Sequence, residues 1–229
     1  MATRSGREPL SRSRLLAAAV EIADAEGLGA VTMRRVAAAV GVEAMSMYHH
    51  LSGKDALLEG LLDSVVGDMD ELIRTIEENE GPLDWQQTLR RRFLAARTVM
   101  LQHPWAPGLI GTRTTIPVSV YGIYESLLAT MIESGFSYQL AHRALHTFGS
   151  MPLGFVQEMF TPGAAGGSND TELREDDLSA MAQMLPHVTA MIASELHEND
   201  GDMLGMCDSQ QEFEFSLDLI LDGFARRLG

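Results

Sequence analysis

Apolar residues recur along almost the whole chain at three- and four-residue steps, and no long stretch alternates apolar with polar residues. Side chains repeat every two residues along a strand and about every 3.6 along a helix, so this pattern predicts an all-α fold. At 229 residues, with 45% hydrophobic and 21% charged residues, the chain can bury a sizeable core. No apolar run reaches the roughly 18 residues that a membrane span requires. The opening Met1-Ala2-Thr3-Arg4-Ser5-Gly6-Arg7 is not followed by an export-type apolar stretch, so a cytoplasmic protein without a membrane partner is expected.

Glycine, proline and capping residues divide the helical pattern. After a basic arm over 1–10, Ser11 can cap a helix with Leu15, Leu16, Ala19, Ile22 and Ala23 on one face, ended by Gly27 and Gly29. Thr32 caps a short helix bearing Met33, Val36, Ala37 and Val40, which Gly41 stops. A further short helix is expected over 43–51, and Ser52-Gly53 precedes a long one from Lys54 to about Asn79. Later helices are expected over 85–102, 117–134, 137–160, 178–196 and 210–228. The run His103-Pro104-Trp105-Ala106-Pro107-Gly108 reads as a break, and 161–177 as a loop. Pro152, between Gly149 and Gly154, is a candidate kink.

Two short helices joined through Gly41 make a helix-turn-helix. Met47, Leu51 and Val42 are expected to face inward, which leaves Ser46, Tyr48, His49 and His50 as a polar, donor-bearing face. Small polar side chains near basic groups suit the reading of base edges and the gripping of phosphates. A net charge of -15 opposes nucleic acid, but its distribution matters. Residues 1–60 hold seven basic and seven acidic groups, so the whole deficit lies beyond them. Such a chain approaches DNA head-first.

The run from Thr32-Met33-Arg34-Arg35-Val36-Ala37 through Gly41-Val42-Glu43-Ala44-Met45-Ser46-Met47-Tyr48-His49-His50-Leu51-Ser52-Gly53-Lys54 closely resembles the DNA-binding domain of the TetR family. The resemblance implies an N-terminal three-helix DNA-binding domain over 11–60 and a larger helical ligand-binding and dimerisation domain over 61–229. It implies that Arg34 reaches a guanine edge or a phosphate and that Thr32, Tyr48 and Lys54 hold phosphates. Ala44, Met45, Ser46, His49 and His50 would face the groove, and Tyr48 could instead be a core aromatic. The implied partners are double-stranded operator DNA, a small-molecule effector and a second copy in a homodimer.

Beyond Asp84 the resemblance is to the tetracycline-repressor branch of that family, through Trp85-Gln86, Leu109-Ile110-Gly111-Thr112-Arg113, Glu133-Ser134-Gly135-Phe136-Ser137 and Leu153-Gly154-Phe155-Val156-Gln157-Glu158. It implies a dimer interface from the helices over 137–160 and 210–228, with Leu217, Ile220, Leu221 and Phe224 on one face. Drug-binding members hold a magnesium chelate through a histidine where this chain has Leu109, and further polar contacts fall on Asp70, Arg92 and Leu127. Only Thr112 and Glu158 keep the family's residue type. Leucine cannot ligate a metal, so no magnesium-bound drug is expected. The expected pocket has an apolar, aromatic lining from Trp85, Phe93, Met100, Trp105, Tyr121, Tyr124, Met151 and Phe155, together with the family-aligned positions Leu109, Thr112 and Glu158.

An enzyme is not expected, since no nucleophile elbow, P-loop or dinucleotide fingerprint occurs. His142 and His146 have metal-ligand spacing, but Arg143-Ala144-Leu145 between them offers no glutamate base, and neither metal nor cofactor is expected. Cys207 is the only cysteine, so it cannot form an intrachain disulfide and reads as a free thiol. The rival reading is a TetR-like fold used as a protein-interaction module without DNA binding.

Overall fold

The computed structural model describes residues 9–81, 83–113, 117–155, 182–195 and 209–228. The described residues are helical and contain no strand. In chain order the helices are α1 (Arg12–Glu26), α2 (Met33–Val40), α3 (Ala44–Met47), α4 (Lys54–Glu80), α5 (Trp85–Gln102), α6 (Ala106–Thr112), α7 (Val118–Glu133), α8 (Tyr138–Phe155), α9 (Pro186–Glu195) and α10 (Ser209–Leu228).

The caps expected from the sequence form as local chemistry dictates. Ser11 Oγ accepts from the Arg14 N–H at 3.2 Å, and Thr32 Oγ1 accepts from the Arg35 N–H at 3.2 Å. Gly41 takes the left-handed conformation, φ 73° and ψ 37°. Its N–H bonds the Ala38 carbonyl at 3.1 Å, and the Val42 N–H bonds the Ala37 carbonyl at 2.9 Å. This double closure ends α2 and turns the chain at once into α3. Arg14 Nη2 reaches the Val40 carbonyl at 3.0 Å, so α1 satisfies an acceptor left over at the end of α2.

Two expectations are corrected. The helix expected over 43–51 is a single α-turn, Ala44–Met47. Beyond it the chain winds more tightly, with the Tyr48 N–H on the Met45 carbonyl and the His50 N–H on the Met47 carbonyl. Met47 and Leu51 are both buried, and the Leu51 N–H still bonds the Met47 carbonyl at 2.8 Å. The break expected at 103–108 is shorter than its prolines suggested: α6 begins at Ala106 with Pro107 in its first turn, where a missing N–H costs nothing. α8 continues as helix through Pro152 to Phe155. The arm at 1–8, the loop at 161–177, Glu158 and Cys207 lie outside the described residues.

Two cores result. The first joins Leu15, Leu16 and Ala19 of α1, Val36 and Val40 of α2, and Met47 to Leu57, Leu61, Leu62, Val65 and Met69 of α4. It then continues into Val99, Met100, Trp105 and Leu109 of α5 and α6. The second joins Leu89 and Phe93 of α5 to Leu127 and Met131 of α7, Ala144 and Phe148 of α8, and Phe213, Leu217 and Leu221 of α10. The boundary expected at residue 60 therefore falls inside α4, and the head's core runs past it.

α4 meets α1 at Gly60, where a Cβ would overlap both terminal methyls of the buried Leu16. Gly60→Ala should therefore lower stability by about 1–3 kcal/mol through overpacking, despite the better helix propensity of alanine. Urea denaturation of the two proteins at equal concentration measures this.

Candidate nucleic-acid interface and sensing cavity

The head presents its polar side chains around the α2–α3 turn and the start of α4. Thr32 and Arg34 at the start of α2 are exposed, as are Met45, Tyr48, His49, His50 and Lys54, while Ala44 and Ser46 are half-buried. Met45 is 73% and Tyr48 49% exposed, which removes the alternative of Tyr48 as a core aromatic. Arg34 enters no ion pair among the described residues, whereas its neighbour Arg35 is held by Glu26. One guanidinium of the pair is thus committed within the fold and the other stands in solvent. Thr32 Oγ1 spends a lone pair on the α2 cap, which leaves its hydroxyl proton able to donate.

α4 starts at Gly53 with no side-chain cap. Its first-turn N–H groups and the exposed Lys54 together form a place where an anion such as phosphate is favoured. Three short-range consequences meet here: a left-handed glycine sets the turn, Met47 and Leu51 anchor it, and Arg34 and Lys54 flank the exposed segment. Such a face supplies donors for phosphates and, from Ser46, His49 and His50, groups able to address base edges.

The residues expected to line one pocket are divided between the two cores. Met100, Trp105 and Leu109 are buried with the head, whereas Trp85, Phe93 and Met151 pack with α7, α8 and α10. Trp85 meets Phe136 edge to face at 4.9 Å, and Phe93 stacks on Phe148 at 4.8 Å. Tyr121 is exposed and touches the half-buried Tyr124 edge to face at 6.3 Å. Thr112 is exposed, with its hydroxyl donating to the Leu109 carbonyl at 3.0 Å. Phe155 closes α8, and Glu158 is outside the described residues.

Of the expected lining, Phe93 faces a cavity of about 70 Å³ between α4, α5 and α7. Met69, Asp70 and Ile73 of α4 form one wall, and Arg92, Ile123, Ser126 and Leu127 stand opposite. Asp70, Arg92 and Leu127, three positions flagged by the resemblance, thus come together on one cavity. Arg92 edges it with a dense polar set: Nε donates to Glu77 at 2.9 Å, and Nη1 to Ser126 Oγ and Thr130 Oγ1, both at 2.9 Å. A wider cleft of about 610 Å³ lies between α4 and α5, lined by Leu72, Ile76, Leu83, Gln87, Arg90 and Leu94 among others. At its edge Arg90 binds Asp218 and Glu214 of α10 at 2.8 and 2.6 Å. The Asp218 hydrogen bond is the main reason that its pKa lies above the ordinary arginine value, with burial opposing.

A partly buried clasp that periodicity did not reveal ties the head to this region. Trp105 Nε1 donates to Asp24 Oδ1 at 2.6 Å, and His103 Nδ1 lies 2.8 Å from the same oxygen. His103 Nε2 faces Asp68 of α4 at 3.5 Å. One carboxylate of α1 thus gathers the α5–α6 turn against α4. A helix period reveals apolar faces and says nothing of an aspartate at the end of α1 whose partners lie 79 and 81 residues away. Asp24→Ala leaves the Trp105 and His103 donors without their partner and should cost about 1–3 kcal/mol. A double-mutant cycle with Trp105→Phe, read by urea denaturation, should show a non-additive term, whereas simple additivity would mean the contact holds nothing.

Comparison with known proteins agrees with this geometry. Residues 15–61 match "Bacterial regulatory proteins, tetR family", and residues 77–228 match "Tetracyclin repressor-like, C-terminal domain". An HTH-type transcriptional regulator of Saccharopolyspora erythraea is 31% identical over 127 residues, covering 56% of this chain and 51% of that protein. The alignment thus spans about half the length of that relative. The tetracycline repressor protein class G of Vibrio anguillarum is 27% identical over 219 residues, 95% of this chain and 94% of that one. A possible TetR family transcriptional regulator from Streptomyces coelicolor A3(2) superposes with a TM-score of 0.72 at 25% identity, covering 94% of this chain and 99% of that chain. With one family match over the head and another over more than half of its length, the chain belongs to the TetR family of bacterial regulatory proteins.

Proposed function

We propose that the protein is a ligand-responsive transcriptional repressor, bound as a homodimer to a palindromic operator and released by a small apolar or aromatic effector. The observation that carries this reading is the exposed set Arg34, Met45, Tyr48, His49, His50 and Lys54 on a head whose core extends into α5 and α6. Thr32, Ala44 and Ser46 complete the contact surface. The family's regulatory role supports it, as does the similar class G protein, whose name makes it a tetracycline repressor. Leu109, 2% exposed and apolar, argues for an effector other than a magnesium chelate.

In this reading the effector enters beside Phe93, between α4, α5 and α7. The cavity there is smaller than the roughly 300–1,000 Å³ of common ligand sites, so binding must widen it. One wall is Met69, Asp70 and Ile73 of α4, so widening pushes on the helix that begins at Lys54. The Asp24–His103–Trp105 clasp converts that push into a movement of α1 and with it the head. Moving a population from mostly bound to mostly free takes a differential affinity of roughly 5.5 kcal/mol.

On DNA from upstream of the protein's own gene, the affinity should fall steeply with salt, because phosphate contacts release counterions. At fixed salt Arg34→Ala should lose about 1–3 kcal/mol. Gel shifts at several ionic strengths measure both. Absent binding, or binding indifferent to salt, would sink the DNA-binding reading in favour of a protein-interaction module.

The proposed dimer interface uses α8 and α10. Leu217 and Leu221, expected on the dimer face, are buried in the chain's own core with Ile220 and Phe224 packed against it, so the exposed pair Phe215 (62%) and Leu219 (54%), at four-residue spacing, takes their place. Phe215→Arg and Leu219→Arg should shift the protein from dimer to monomer in sedimentation-velocity runs while retaining its helical circular dichroism. Operator affinity should fall with dimer loss, since the two half-sites are then bound singly.

A further inference from the structure

The cavity beside Phe93 lies between α4, α5 and α7, none of which belongs to the proposed dimer interface. Its lining is apolar except for Asp70, Arg92 and Ser126, and the two charged groups face it without pairing with each other. The charge of Arg92 is already answered. Its side chain is 16% exposed, with Nε donating to Glu77 at 2.9 Å. Nη1 donates to the Ser126 carbonyl at 3.1 Å and to the Ser126 and Thr130 hydroxyls, both at 2.9 Å. Of the five guanidinium donors, only the two N–H groups of Nη2 meet no acceptor among the described residues. Asp70 is the opposite case: its side chain is exposed, and among the described residues its carboxylate meets neither a cation nor a hydrogen-bond donor. With Arg92 balanced by Glu77, Asp70 is the uncompensated charge of the cavity.

These groups set what an occupant must carry. A ring system that enters beside Phe93 displaces water from the Asp70 carboxylate, and a carboxylate desolvated without a partner is costly. A purely apolar molecule therefore leaves an unpaired anion, and an anionic one adds a second. A cation meets it. At Arg92 the same molecule needs only a neutral acceptor, because Glu77 already supplies the negative charge. The net charge of -15 favours cations at long range as well. We propose, on the reading of this cavity as the effector's site, that the effector is a lipophilic cation. Its aromatic or apolar ring system bears a protonated amine that pairs with Asp70, and a neutral oxygen accepts a hydrogen bond from Arg92 Nη2.

Three probes of similar shape separate the charge classes: 1-naphthylmethylamine, its neutral counterpart 1-naphthylmethanol, and the anion 1-naphthoate. In titration calorimetry of the full chain at neutral pH, the amine should bind at least about tenfold more tightly than the alcohol, the scale of one hydrogen bond to a charged group. The naphthoate should bind more weakly than either. Asp70→Asn should bring the amine down to the level of the alcohol and leave the alcohol unchanged. Because Asp70 is exposed, this variant should melt like the parent. Glu71→Gln, which removes the same charge from the next position of α4 outside the cavity lining, should change neither affinity. Equal affinity of the parent for amine and alcohol, tighter binding of naphthoate, or equal losses in both variants would overturn the lipophilic-cation class while leaving the cavity as a binding site. Binding of none of the three would overturn both. Gel shifts with the amine judge the repressor reading separately, since that reading requires release of operator DNA and the charge preference does not.

Discussion

The burial of one face of α4 is the constraint on which the rest of the fold depends. Leu57, Leu61, Leu62, Val65 and Met69 are all nearly inaccessible, and they are covered from different directions by α1, by the helix-turn-helix and by the α5–α6 corner. A stripe at this spacing on a helix of 27 residues is too long for the head alone to cover. The body must therefore share it: the head's core runs on into α5 and α6, and α5 also carries the second core with α7, α8 and α10. A regulator gains from this because interiors of such density transmit displacement instead of absorbing it.

The acidic residues of α4 complement that apolar face. Asp63 accepts from Ser119 of α7 at 2.8 Å and lies 3.5 Å from Arg12 of α1. Asp68 faces His103, and Glu77 accepts from Arg92. Each carboxylate addresses a different neighbour. The more exposed of these pairs contribute little to stability, on the order of 0–1 kcal/mol apiece. Their use lies in direction: they fix how α1, α5 and α7 stand around the rod, while the apolar stripe supplies the free energy. The net negative charge of the chain lies wholly beyond residue 60, which leaves the head the part least repelled by a polyanion.

Much of the head was legible in the sequence because its signals are local. Ser11, Thr32 and Gly41 act within four residues of themselves, and Met33, Val36, Ala37 and Val40 repeat within a single short helix. The length of α3 was not legible, because no glycine, proline or capping residue marks the change from α-turn to tighter winding after Met47. α6 was missed because Pro104 and Pro107 read as breakers, yet Pro107 sits in the first turn, where a helix tolerates it. The aromatic residues were legible as apolar, and their division between two cores was not, since composition carries no address.

The sequence by itself determined an all-helical chain, the helix-turn-helix and the polar residues that it offers, since helix period, caps and the left-handed glycine are properties of a few adjacent residues. Only the tertiary structure decided that Asp24, His103, Trp105 and Asp68 meet, that Asp70 and Arg92 border one cavity, and that Phe93 rather than Trp105 faces it. The physical reason is the same for all three. Those contacts join residues tens of positions apart, and they exist only because the buried stripe of α4 brings α1, α5 and α7 to one place.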